Sequence, residues 1–187
     1  MSGNVRKWLR VVGRRLVRVR GENPAPEFVR VAYCVPRQVV LVTTRFQEQE
    51  NVWPVDWHIP LSLSPKLYGL ALNRSGYGTE LVRASGVFVV NFVPVTWEEV
   101  IFFCGRTSGR QVDKFAATGL AKEEAQTVDA PRLADALGVL ECRDVRAVET
   151  GDHTFFVGEV THEVFRGQAP RLHHLDSGLR DIAEEFE

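Results

Sequence analysis

The sequence predicts a mainly β protein, an antiparallel six-stranded barrel with short peripheral helices. Three observations carry that expectation. Runs of strand length, β-branched or alternating, recur between residues 38 and 165. The helical segments between them are short and irregularly placed, and no G-x-G-x-x-G turn joins a strand to a helix, which argues against a βαβ dinucleotide fold. Finally, two long alternating runs flank a Gly151-Asp152 corner and read as one hairpin.

The elements follow in order. "QVVLVTT" (38–44) is a β-branched run bounded by polar residues, which predicts a buried strand, and "RFQEQEN" reads as a loop. "NVWPVDWHIPLSLSP" is extended, because Pro54, Pro60 and Pro65 exclude a helix through it. "KLYGLALN" is the next strand and ends in the loop "NRSGYG". "TELVRASG" gives one or two helical turns, with Thr79 at the N-cap and Gly86 as the stop. "VFVVNF" is a strand, and "TWEEVIFFC" a short helix whose "TWEE" has the form of a capping box on Thr96. "VDKFAATG" predicts a helix ending at Gly119, followed by a polar, Ala-rich segment to Leu137. "GVLECRDVRAVET" and "HTFFVGEVTHEVF" form the hairpin. With no repeat, low-complexity tract or linker, residues 1–187 are expected to form a single domain, 1–30 being a basic extension and 166–187 a tail.

Composition narrows the partners. With 44% hydrophobic and 25% charged residues, the chain has globular values. A net charge of −1 argues against nucleic acid, whose phosphates need a basic field. Three widely spaced cysteines point to reduced thiols and a cytoplasmic location, not to disulfides or zinc. No apolar run approaches the roughly 20 residues that span a bilayer, and no signal-peptide segment follows the basic start. Six arginines and one lysine lie between Arg6 and Arg20. On a helix they would make a basic strip able to touch an anionic surface, but Gly13 and the valines weaken that helix and "RLVRVRG" alternates like a strand. Neither a P-loop nor a G-x-S-x-G elbow is present.

"CGRTSGRQVDKF" (104–115) concentrates three basic side chains and two glycines just before a helix. Alone it reads either as an anion-holding loop or as a solvated turn.

Taken in order, "VVLVTT", "NVWPVDWHIPLSLSPKLYGLAL", "GVFVVNF", "CGRTSGRQVDKF", "LECR" and "GDHTFFVGEV" resemble the flavin reductase-like family, the FMN-binding split barrels that include flavoredoxin. The match covers roughly residues 36 to 165. It departs from the family at "SPKL", where a double proline is usual, a change expected to alter only a turn. The resemblance implies a homodimer with FMN at the subunit interface and electrons arriving from NADH or NADPH.

FMN needs donors and acceptors for its ring edge, an aromatic wall and an anion site. On residue type alone Asn51 is either a ring contact or a turn former, and Trp57 either a wall or core; the resemblance favours the cofactor for both. It extends the expected contacts to Val52, Trp53, Ser62 and Ser108. The loop Asn73, Arg74, Ser75 to Thr79 offers a guanidinium fork, hydroxyls and a helix start for the phosphate, or else Thr79 merely caps its helix. The resemblance points Lys114 into the site, at either the ring or the phosphate, and sets it above the arginines around it. It places His153 at the cofactor mouth as the catalytic candidate, and Phe186 as a C-terminal aromatic covering the flavin. The remaining histidines read as structural or solvated. Three functions fit: an NAD(P)H-dependent reductase passing electrons to flavin, an iron complex or a protein; an electron carrier without nicotinamide turnover; and a flavin-storage protein.

Overall fold

The computed structural model describes residues 9–12, 15–18, 34, 36–175 and 178–181. The expected alternation near the N-terminus appears as an antiparallel pair, β1 (Leu9–Val12) and β2 (Arg15–Arg18). The main body is a seven-stranded antiparallel sheet. In chain order its strands are β4 (Val40–Phe46), β5 (Gln49–Val55), β6 (His58–Leu63), β7 (Lys66–Asn73), β8 (Phe88–Phe92), β11 (Gly138–Thr150) and β12 (His153–Phe165). Their spatial order is β5-β4-β8-β11-β12-β7-β6. The two edge strands, β5 and β6, are consecutive in the chain and joined only through Asp56 and Trp57. So short a link forces the sheet to curl until its edges meet there.

The sheet has one strand more than expected because the single extended stretch divides at that corner. The loop expected at 45–51 is also corrected. β4 and β5 form a hairpin around Gln47 and Glu48, with Gln47 at φ 55°, a conformation its side chain does not advertise. "KLYGLALN" and the β11–β12 hairpin have the predicted bounds.

Between the strands lie α1 (Tyr77–Ser85), α2 (Glu98–Arg106) and α3 (Lys114–Thr118). Gly86 and Gly119 end α1 and α3 in the left-handed conformation, at φ 71° and 69°. Two caps differ from expectation. The N-cap of α1 is Gly76, three residues before Thr79, so Thr79 is inside the helix. The "TWEE" capping box does not form: Val95–Trp97 is a 3₁₀ turn, and α2 begins without a side-chain cap. Asp113 does cap α3, accepting from the Ala116 N–H at 3.1 Å.

The segment read as polar and Ala-rich contains a two-stranded ribbon, β9 (Lys122–Glu124) with β10 (Pro131–Leu133). β3 (Arg37–Gln38), β13 (Leu172–Leu175) and β14 (Gly178–Asp181) make a third small sheet. β4 is buried on both faces, which explains its continuous apolar run. Leu41 joins one core cluster with Val89, Ile101, Phe115 and Leu133, while Val40 and Val42 join the other with Leu70, Phe88 and Phe156. Among the described residues no helix is long and apolar enough to cross a membrane.

Candidate cofactor-binding cleft

A cleft of about 560 Å³ opens where β5, the Asp56–Trp57 corner, the start of α1 and the α2–α3 loop converge. That volume suits a small-molecule ligand. Asn51 and Trp53 reach it from β5, on the same side of the strand, as their spacing of two requires. Asn51 is buried, and its Oδ1 has no hydrogen-bond partner among the described residues. Such an orphan acceptor is costly unless a ligand supplies the donor. The approach is close: a Cβ on Gly109 would fall 2.3 Å from Asn51 Oδ1, and one on Gly78 would fall 2.5 Å from the Trp53 ring. Both glycines are therefore required by space.

Trp57 sits at the corner, fixed by the Ala71 N–H donating to its carbonyl at 2.8 Å. Its ring stacks on His153, with centroids 4.7 Å apart and planes at 21°. His153 is further held by its Nδ1 at 2.7 Å from Asp152 Oδ1. Together they form one aromatic wall.

The opposite signals come from the start of α1. Gly76 caps it without a side chain, so the first helical N–H groups of Tyr77 and Gly78 are not capped, and both residues line the cleft. Ser75 and Asn73 also line it, though Asn73 Oδ1 is engaged by the Ser75 N–H and hydroxyl. Thr79 is buried and donates its hydroxyl to the Asn73 carbonyl at 2.7 Å, shaping the loop. Ser108 lines the facing loop, and its Oγ accepts from the Arg110 N–H at 3.3 Å.

Lys114 is buried in the wall. Its ammonium donates to the carbonyls of Val52 at 2.9 Å and Cys104 at 2.8 Å, leaving one of three donors toward the cleft it lines. Burial lowers its pKa and raises that of the Cys104 thiol beside it.

Three expected contacts are not brought together. Val52 buries its side chain in the core and contributes its carbonyl to Lys114. Ser62 pairs with Leu67, whereas the cleft touches β7 at Ala71, four residues or about 13 Å along the strand. Arg74 turns away from the cleft lining: its Nε lies 2.9 Å from Glu149, and its Nη1 donates to the Gly151 carbonyl at 3.2 Å. Phe186 lies outside the described residues. Conversely, Arg106 and Arg110, basic side chains of the loop read as able to hold an anion but set below Lys114 by the resemblance, do line the cleft. Arg110 is paired with Glu80 over the Tyr77 ring.

A curled antiparallel sheet with a cleft at its edge-to-edge corner defines a barrel that carries its candidate site at the meeting of its edge strands. Residues 32–183 match the flavin reductase-like domain, so the chain belongs to that family. An uncharacterized protein of Archaeoglobus fulgidus is 36% identical over 154 residues, covering 82% of this chain and 83% of its own. An NADH-dependent FMN reductase of Streptomyces nodosus subsp. asukaensis is 30% identical, covering 84% and 85%. Among solved structures, an FMN-binding protein from Thermus thermophilus superposes with a TM-score of 0.75 at 22% identity, covering 87% of this chain and 95% of that one. Flavoredoxin of Desulfovibrio vulgaris gives 0.73 at 18%, covering 87% and 93%. These likenesses establish the split-barrel fold.

Proposed function

We propose that the protein binds FMN in this cleft, takes hydride from NADH or NADPH, and passes electrons to flavin, an iron complex or a protein acceptor. The observation that carries the reading is the buried Asn51 Oδ1, without a partner among the described residues, in a cleft walled by tryptophan. It fits a ring that offers an N–H at its edge. When bound, FMN supplies the hydride-accepting ring; the chain supplies position and charge. Asn51 would accept from the ring edge, Trp57 with His153 would wall one side, and the free N–H groups at the start of α1 would take the phosphate. Lys114, tethered to the carbonyl of Val52 next to Asn51, belongs with the ring rather than the phosphate, where its remaining donor would favour a more electron-rich ring. His153, held by Asp152, orients the mouth. The relative named as an FMN reductase supports the same reading.

Cys104 and Cys142 are buried thiols and Cys34 is free, as a reducing cytoplasm would keep them. Homodimer formation is part of the reading, supported by an exposed apolar stripe on β6.

The test has two parts. Mass spectrometry of the cofactor released from purified protein should show FMN; predominant FAD, or no flavin after reconstitution, overturns the reading. NADH or NADPH added anaerobically should then bleach the flavin absorbance. Bleaching by neither would assign the electron-carrier role instead.

A further inference from the structure

Beside the cleft lies a smaller cavity of about 230 Å³, sharing with it Pro54, Val55, Asp56, Gly105 and Arg106. The ionisable side chains lining it are Asp56, Arg106 and His174. The carboxylate is already satisfied. Asp56 Oδ2 accepts from Arg37 Nε and Nη2 at 3.0 and 2.9 Å, and from His174 Nδ1 at 2.6 Å. The charges of Arg37 and Asp56 thus cancel. His174 Nδ1 also lies 3.0 Å from Arg37 Nη2, so the ring is held with Nδ1 toward the Arg37–Asp56 pair and Nε2 on its other side.

Arg106 differs from the other arginine lining the cleft. Its guanidinium lies 5.0 Å over the Phe102 ring, and it has no acidic partner among the described residues. With Arg37 and Asp56 cancelling, a ring-stacked arginine without a carboxylate leaves the cavity a net positive charge. The cavity is too small for a dinucleotide, so any such ligand must extend from it into the main cleft. The phosphate of the flavin has separate donors at the start of α1.

We propose that this annex is a phosphate subsite for the nicotinamide nucleotide, engaged by Arg106 with His174 beside it, while the nicotinamide end occupies the main cleft. The proposal rests on the hydride-transfer reading above. Its chemistry is shared by the pyrophosphate of either nucleotide and the 2′-phosphate of NADPH.

The experiment titrates FMN-loaded full-length protein with NAD+ and NADP+, following flavin fluorescence, for wild type, Arg106→Met and His174→Gln. Arg106→Met should weaken nucleotide binding about 10-fold and flatten its salt dependence, and should weaken FMN binding less. His174→Gln should weaken nucleotide binding less than Arg106→Met does. Loss with both nucleotides assigns the pyrophosphate, and loss with NADP+ alone assigns the 2′-phosphate. Wild-type affinities in both variants, or a loss confined to FMN, would overturn the subsite. If NADH or NADPH bleaches the wild-type flavin, that failure leaves the functional reading standing. A flavin-loaded wild type that neither binds nor is reduced by either nucleotide takes down both.

Discussion

Lys114 and Asn51 place opposite demands on the same wall. Lys114 is buried and satisfies the carbonyls of Val52 and Cys104, so it contributes to folding as well as to the cleft. Lys114→Met leaves both carbonyls without a donor and should cost about 2–4 kcal/mol of stability. The resemblance suggests a flavin-facing lysine; the structural share of its role is invisible without knowing where its Nζ ends. Flavin affinity in that variant should fall on the order of 10- to 100-fold, measured by fluorescence titration below the unfolding temperature. Asn51→Ala should behave differently. It removes an acceptor that has no partner among the described residues, so urea unfolding of the flavin-free protein should shift by less than about 1 kcal/mol. Flavin retention should drop about 10-fold. A large stability loss in Asn51→Ala with unchanged flavin binding would mean that the amide is structural.

Among the elements, the β strands were legible wherever hydrophobic pattern and turn chemistry agreed. The β11–β12 hairpin has a glycine at φ 67° at its corner, and its bounds follow from alternation alone. The β4–β5 hairpin was hidden because Gln47 occupies the left-handed position that glycine or asparagine usually marks. Least legible was the segment between α3 and β11, whose order depends on a distant residue. Glu141, on β11 and fully buried, accepts from the N–H groups of Gln126 and Thr127, the Thr127 hydroxyl and Arg132 Nη1. Burial alone would raise its pKa, but the donors from Gln126 and Thr127 outweigh that and hold it below the usual carboxylate value. A carboxyl depressed in the folded state stabilises above its unfolded pKa and loses that contribution as pH falls through the folded value. Glu141→Gln should therefore destabilise by about 2–4 kcal/mol at pH 7. The gap in Tm between wild type and variant should narrow as pH falls below about 4.3. A gap independent of pH between 7 and 3 would mean that the carboxylate charge is not what anchors the segment.

At the scale of the whole molecule, the apolar stripe on β6 bears on assembly. Ile59, Leu61 and Leu63 are 51%, 42% and 89% exposed on an edge strand whose register slips between Pro60 and Ser62. Large apolar side chains left exposed together have no use in a monomer. Pro60 lies between them and lacks an N–H, so β6 is poorly suited to extend the sheet through its edge. Association through the side-chain face, with two copies related by a twofold axis, is the arrangement this leaves. The stripe also adjoins the site's own scaffold, since β6 begins one residue after Trp57. We therefore expect light scattering of the flavin-loaded protein to give twice the 21.1 kDa chain mass. Leu63→Arg places a charge at the most exposed apolar position of this strand and should shift the protein to monomer at micromolar concentration. Because Leu63 is exposed within one copy, the barrel itself should keep its fold and far-ultraviolet spectrum. If the cleft needs a second copy to hold FMN, flavin retention should fall in parallel with the dimer fraction as protein is diluted. A wild type that stays a flavin-loaded monomer at micromolar concentration would contradict the shared site. A dimer that survives Leu63→Arg would move the interface away from β6.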